Sequence, residues 1–381
     1  MLGCALLGLA GLIGTKRGVP GMVLLRSLLL RSPLGARGSY APTVLNIAQN
    51  LGWGIFELIV IATAASALAD ELVGFDQRWV WVLAAGAVAG GLALAGPISF
   101  VRRYVKRFAL RIVLASMGYL VWWTLDGADL GVLWSQPGEG GLSWWAGVDL
   151  TIAMAASWLP LAADYTRFAR GGRPAFLGSA IGYFVPLVAL FSLGAVLLLS
   201  RDLSDPTAIL SSIATGGVAA ALALFALAVA ENDEAFANIY STAVSIQNLV
   251  PKAPQRVLIA AVSVAVTIGA LFIDLVEYQG FLFLIGSFFV PLFGVLVADY
   301  LLGEARPVGI RWSGIVAWIG GFAIYQWQQP TGPESWTSLI ADSASAGAIS
   351  IGASLPSFAL SFVLYAALRS VLVPRLAAVR R

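Results

Sequence analysis

Runs of about 20 apolar residues recur along the chain, separated by short stretches that hold nearly all of its charges. About 20 helical residues cross a hydrocarbon core. Runs of that size fall near 40 to 67, 78 to 97, 108 to 124, 144 to 167, 174 to 200, 216 to 249, 256 to 275, 278 to 302, 311 to 328 and 349 to 373. Each predicts a membrane-spanning helix. Met1 to Gly14 is also apolar but too short to span comfortably, so it predicts a clipped helix ahead of the others. The expected fold class is all-α, one polytopic transmembrane domain over residues 1–381.

Composition agrees with the pattern and sharpens it. A chain that is 59% hydrophobic and 11% charged has too little polar surface to cover a water-soluble globule. Its 23 Lys and Arg are then informative by position. All but Arg78 and Arg201 lie in alternate connections: Lys16 to Arg37, Arg102 to Arg111, Arg167 to Arg173, Lys252 and Arg256, Arg306 and Arg311, and Arg369 to Arg381. The opposite connections carry Asp70, Glu71, Asp76, Asp126, Asp129, Glu139, Asp202, Asp205, Glu334 and Asp342. The positive-inside rule places the basic connections inside. The expected location is a plasma (inner) membrane, multi-pass, with the C-terminus cytoplasmic.

The same rule leaves Met1 on the outer side with no helix to deliver it, which predicts a start annotated one helix too late. A secretory signal peptide fits poorly, because Lys16 and Arg17 follow the apolar stretch instead of preceding it. The net charge of +3 reflects topology and contact with the lipid bilayer, and implies no nucleic acid. One Cys and no His exclude an internal disulfide and imidazole metal chemistry. No cofactor, no enzymatic activity and no obligatory protein partner are expected.

Ionisable and amide groups deep in a membrane are costly and point to function. In the segment 40 to 67, Asn46, Asn50, Trp53 and Glu57 follow at spacings of four, three and four, which sets them on one helical face. A plain packing face would carry Leu, Ala or Gly there; the alternative to a ligand-facing stripe is a stripe that hydrogen-bonds one helix to another. An indole and a carboxylate one turn apart suit a flat nitrogen heterocycle: the indole stacks on the ring, and the carboxylate accepts hydrogen bonds from its edge. The second place is Glu231-Asn-Asp-Glu234, followed by Asn238, Tyr240, Ser241 and Thr242. Such oxygen-bearing groups at mid-membrane suit a hard cation or a carboxyl that carries a proton; the alternative is a loop between two shorter helices. The third is 144 to 167, with Asp149, Ser157, Trp158 and Pro160. Pro160 lacks an N–H and clashes one turn back, so this helix is expected to break near Ser157 to Leu161. A broken helix exposes backbone groups to a substrate or ion. Asp149 reads as a cap near the outer surface. Asp164 with Arg167, and Asp299 with Tyr300, read as structural pairs or caps at inner helix ends.

The chain resembles the nucleobase:cation symporter family, the purine and cytosine permeases, and is most similar to cytosine and hydroxymethylpyrimidine transporters. The resemblance rests on Gly18-Val-Pro-Gly21 with Arg26, Trp53-Gly-Ile-Phe-Glu57, Ala163-Asp-Tyr-Thr-Arg-Phe168, Asn238-Ile-Tyr-Ser241, and Pro291-Leu-Phe-Gly294 through Ala298-Asp-Tyr300. These motifs span nearly the whole chain in the family's order. The resemblance implies an inverted five-plus-five helix repeat, as in sodium-coupled symporters, with two added C-terminal helices and the first helix missing here. It implies that Trp53 stacks on the base, that Glu57 bonds its edge, and that Asn238 bonds the substrate. It also implies a cation site around Val229, Asn232 and Asp233. Some relatives carry two hydroxyl residues where this chain has Asn232 and Asp233, so sodium and proton coupling both stay open. The hydantoin-carrying relative faces its substrate with a second indole, for which the nearest counterpart is Trp158, about one turn displaced.

The reading is a secondary transporter importing a pyrimidine base, cytosine or hydroxymethylpyrimidine, by cation symport. Asn50, Trp53, Glu57, Ser157, Trp158 and Asn238 are the expected substrate residues. The alternatives are an amino-acid permease of the same general fold, whose site would hold a carboxylate and an ammonium, or a truncated permease remnant that does not transport.

Overall fold

The structure, a computed structural model, describes residues 1–17, 28–95, 110–137, 142–166, 168–203, 206–273, 278–303, 308–341 and 351–378. The Gly18 to Arg26 motif and the basic connection 102 to 107 lie outside the described residues, as do Arg167 and the side chain of Asp164. Among the described residues all regular structure is helical. Every predicted segment meets a helix, and four short helices are added that hydropathy does not signal: α2, α6, α10 and α15 below. Two compact units emerge, with helices α3 (Tyr40–Val73) and α9 (Gly172–Ser200) each divided between them.

Unit 1 holds residues 1–49, 140–184 and 278–381. Its helices are α1 (Leu2–Arg17), α2 (Leu28–Leu34), the start of α3, α7 (Trp144–Ala156), α8 (Leu159–Thr166), the start of α9, α13 (Tyr278–Leu301), α14 (Trp312–Gln328), α15 (Glu334–Ala341) and α16 (Ser354–Ala378). Helix α13 is its centre: from Phe289 to Asp299 every residue is buried. Aromatic and small residues seat it, with the Phe288 and Phe322 rings stacked at 4.7 Å and Trp318 Nε1 donating to the Phe288 carbonyl at 2.9 Å. A side-chain carbon at Gly321 would lie 2.5 Å from Pro291 Cβ. Only a glycine lets α14 approach α13 that closely, the usual means by which apolar helices pack where solvent supplies no driving force.

Two buried carboxylates hold this unit. Asp299 is fully buried; its Oδ2 lies 2.9 Å from Arg17 Nη2, and its Oδ1 accepts from Arg369 Nη1 at 2.8 Å and from the Tyr365 hydroxyl at 2.6 Å. One anion thus joins α1, α13 and α16. Asp149 is the second. It caps a distant helix, accepting from Ala353 N at 2.7 Å and Ser354 N at 2.9 Å at the start of α16. Its sequence-based reading as a cap thus finds a partner more than 200 residues away. Gly352, at φ 74, makes room for it, since a Cβ there would sit 2.7 Å from Asp149 Oδ2. Removing a carboxylate that caps buried N–H groups leaves those donors unsatisfied. Asp149→Ala is expected to lower stability by about 1–3 kcal/mol, read as an earlier thermal unfolding transition in detergent, with Asp149→Asn recovering part of the loss.

Unit 2 holds residues 50–139 and 185–277: the rest of α3 and α9, with α4 (Arg78–Ala95), α5 (Leu110–Leu125), α6 (Leu130–Ser135), α10 (Pro206–Ala214), α11 (Val218–Leu249) and α12 (Gln255–Phe272). Its main core joins α3, α4, α11 and α12 through Leu58, Ala62, Val82, Ala89, Ile239 and Val266. A second cluster sets Ala64 of α3 against Ala220, Leu224 and Ala228 of α11, with Leu120 of α5. By length and composition, six described helical stretches can cross a membrane: α3, α4, Trp144–Ala163, α9, α12 and α13. Helix α11 is 32 residues long and unbroken through Glu231 to Glu234, so those residues are not a loop between two shorter helices.

Candidate functional site

In unit 2, Glu57 and Asn238 meet. The Asn238 amide Nδ2 donates to both carboxylate oxygens of Glu57, at 2.8 Å to Oε1 and 3.1 Å to Oε2. Gly54 permits the meeting: its Cβ position would be only 3.2 Å from Val266 Cγ1 and 3.8 Å from Asn238 Cβ, so α3 closes on α12 and α11 at this turn. Glu57 is buried, 7% exposed. A buried carboxylate needs donors, and one amide covers only part of the acceptor capacity of two oxygens. Trp53 stands one turn away, half-buried, its ring edge-to-face with Phe56 at 5.9 Å. Asn50 lies on the same face of α3, 1% exposed, with neither amide atom partnered.

Further along α11, Val229, Asn232 and Asp233 share a face at i, i+3 and i+4. Val229 is 55% exposed, and its carbonyl belongs to the ladder of an unbroken helix. Asn232 donates through Nδ2 to the Ala228 carbonyl at 3.3 Å, while its buried Oδ1 has no partner. Asp233 is half-buried. The oxygens available to a hard cation are therefore those of the Asn232 and Asp233 side chains, a donor type that suits sodium. Among the described residues no group of three or more His, Cys, Asp or Glu could hold a metal ion.

In unit 1, α7 and α8 are separated by a two-residue turn at Ser157 and Trp158. The cause is Pro160, which has no N–H to offer the Ala156 carbonyl. Trp158 N turns back to Ala155 O at 3.2 Å, and the displaced Met154 carbonyl accepts instead from the Ser157 hydroxyl at 2.7 Å and the Tyr183 hydroxyl at 3.1 Å. Leu161 N bonds Trp158 O, which frees the Ser157 carbonyl to accept from Gln49 Nε2 at 3.0 Å. Gln49 also donates to Asn46 Oδ1 at 2.9 Å. Gln49 is a polar residue at the break that periodicity missed, for it sits beside the Asn46 face; a glutamine in an apolar helix was the available signal. Trp158 lies 6.4 Å from the Tyr183 ring. The Ser157 hydroxyl is thus committed to its own helix.

The chain is similar to several characterised permeases. It is 26% identical over 305 residues to the hydantoin permease of Microbacterium maritypicum, matching 74% of this chain and 61% of that one. It is 27% identical over 344 residues to the allantoin permease of Bacillus subtilis, with 80% and 67% covered, and 24% identical over 348 residues to the cytosine permease of Escherichia coli, with 86% and 77% covered. The chain thus spans about three fifths to three quarters of the length of these relatives. Among solved structures, the inward-facing conformation of Mhp1 superposes with a TM-score of 0.73 at 20% identity, covering 99% of this chain and 83% of that one. Mhp1 closed around bromovinylhydantoin gives 0.70 at 21%, covering 97% and 83%. This likeness shows the inverted-repeat symporter fold. The profile of permeases for cytosine/purines, uracil, thiamine and allantoin matches residues 1–309, and the chain belongs to that family.

Proposed function

We propose that the protein is a secondary transporter that imports a pyrimidine base bearing an amino group, cytosine or hydroxymethylpyrimidine, by cation symport across the plasma membrane, with its basic connections and C-terminus cytoplasmic. The observation that carries this reading is the Asn238 amide resting on both oxygens of Glu57. It fixes the carboxylate while leaving it acceptor capacity for donors on a ligand edge. An amino group beside a ring nitrogen supplies such donors, and Trp53, one turn along, offers an indole for the ring face. Asn232 and Asp233 supply oxygens for sodium, or Asp233 a carboxyl for a proton; either ion would be driven by its gradient.

The relatives that carry hydantoin and allantoin favour a second reading, a ureide ring, whose N–H groups would also suit Glu57. Uptake of labelled cytosine by cells expressing the chain, competed in turn by hydroxymethylpyrimidine, uracil, allantoin and hydantoin with and without sodium, separates the two. Cytosine and hydroxymethylpyrimidine are expected to compete at least about tenfold better than uracil, because a site built for a donor edge rejects a ligand lacking it. Preferred inhibition by allantoin or hydantoin would replace the pyrimidine with a ureide. The absence of saturable uptake of cytosine would end the nucleobase reading in favour of an amino-acid permease or a remnant that does not transport.

A further inference from the structure

Three side chains along the α3–α11 seam of unit 2 have no hydrogen-bond partner among the described residues. Asn50 has both amide atoms unbonded, and Thr242 and Ser245, each 0% exposed, have unbonded hydroxyls. The packing of the two helices aligns them. Ala64 of α3 clusters with Ala220 to Ala228 of α11, whereas Leu58 to Ala62 cluster with Ala235 to Ala243, so the helices pass antiparallel. The Glu57–Asn238 bond sets their register. Seven residues back along α3 and seven forward along α11 are each about two turns, or about 10 Å. Asn50 and Ser245 therefore come to the same level, with Thr242 between that level and Asn238, all on the faces that Glu57 and Asn238 share.

Four buried polar atoms without partners, in a bundle that spans hydrocarbon, carry a penalty that native structures meet with water or a ligand. Their chemistry is specific in kind: an amide offers a donor beside an acceptor, and two hydroxyls rotate to serve as either. That set complements the N–H beside C=O edge of a pyrimidone. We infer that Asn50, Thr242 and Ser245 form a second polar station, about two turns from Glu57 toward the Tyr40 end of α3, where the base's hydrogen-bonding edge rests on its way to the cytoplasm and water fills in when the base is absent. The inference rests on the transporter reading. It adds a waypoint that receives the ligand after the Glu57–Asn238 pair releases it.

The test uses thiol labelling. The single cysteine, Cys4, is replaced by serine, and Ser245→Cys is introduced, with Asn50→Cys as a second variant should the first misfold. Inside-out vesicles are treated with a positively charged methanethiosulfonate, with and without saturating cytosine, and cytosine binding is measured in the same vesicles. Labelling at least about tenfold faster than in the cysteine-free background is expected, slowed about tenfold by cytosine at roughly tenfold its dissociation constant, the occupancy that mass action sets. No labelling of either variant overturns the station. Labelling that bound cytosine leaves unchanged overturns it as a waypoint, with Glu57 binding intact. Labelling in vesicles that bind no cytosine overturns the proposed substrate, and the station's ligand with it.

Discussion

Asp299→Asn lowers the stability of the protein by about 3–5 kcal/mol, the largest effect expected of any single conservative change in the chain. The magnitude follows from what remains after the charge is gone. Arg17 and Arg369 both point at the carboxylate, with side chains 6% and 12% exposed, and a buried cation deprived of its counter-ion carries a desolvation penalty that no longer has an attraction to offset it. Asparagine keeps the shape and can still accept from the Tyr365 hydroxyl, so the change isolates charge from packing. Thermal unfolding in detergent, followed by tryptophan fluorescence, measures it. The diagnostic is rescue: Asp299→Asn combined with Arg17→Met and Arg369→Met is expected to recover much of the loss, because replacing a whole buried ionic set by apolar residues is often neutral. A triple variant less stable than Asp299→Asn would show that the arginines serve packing or lipid contact beyond their bonds to Asp299.

Glu57→Gln is expected to weaken cytosine binding by roughly 10- to 100-fold with little effect on folding. A hydrogen bond to a charged group contributes about 1.5–3 kcal/mol, and each 1.4 kcal/mol is about tenfold in affinity. Glutamine preserves length and can still accept from Asn238 through one oxygen, but its amide turns one acceptor into a donor. That donor would face the amino edge of cytosine, while the carbonyl edge of uracil would be accommodated. The ratio of uracil to cytosine affinity should therefore rise. Equilibrium binding of labelled cytosine to purified protein, with uracil as competitor, reads both. Full cytosine affinity in the Glu57→Gln protein would remove the amino-edge reading altogether.

The parts of this molecule that sequence pattern anticipated are those set by local chemistry. Apolar runs located the long helices because spanning a membrane demands a fixed length, and Pro160 located the break between α7 and α8 because a missing N–H acts within one turn. The periodicity from Asn46 to Glu57 put Asn50, Trp53 and Glu57 on one face for the same reason. What escaped was set by distant partners. Nothing near Gln49 in the chain announces that its amide will meet the Ser157 carbonyl 108 residues later, nor that Asp299 will gather Arg17 and Arg369. Thr242 stands among the polar groups that follow Glu234 in the sequence, but Ser245 carries no such signal, because hydroxyls are common in membrane helices, where they ordinarily bond their own backbone; only the absence of that bond marks it. The short helices α6 and α10 are too brief for hydropathy to separate from connections.

The Asp149 cap has a consequence for biosynthesis. Its carboxylate emerges from the ribosome within α7, yet the N–H groups of Ala353 and Ser354 that satisfy it are made about 200 residues later. At 5–20 residues per second that is an interval of roughly ten seconds or more, during which an acidic residue sits in a helix already bound for the bilayer. Until then water has to serve the carboxylate in place of those two donors. A nascent chain arrested before α16 would carry the Asp149 carboxylate without these two donors, so that α16 is what completes α7.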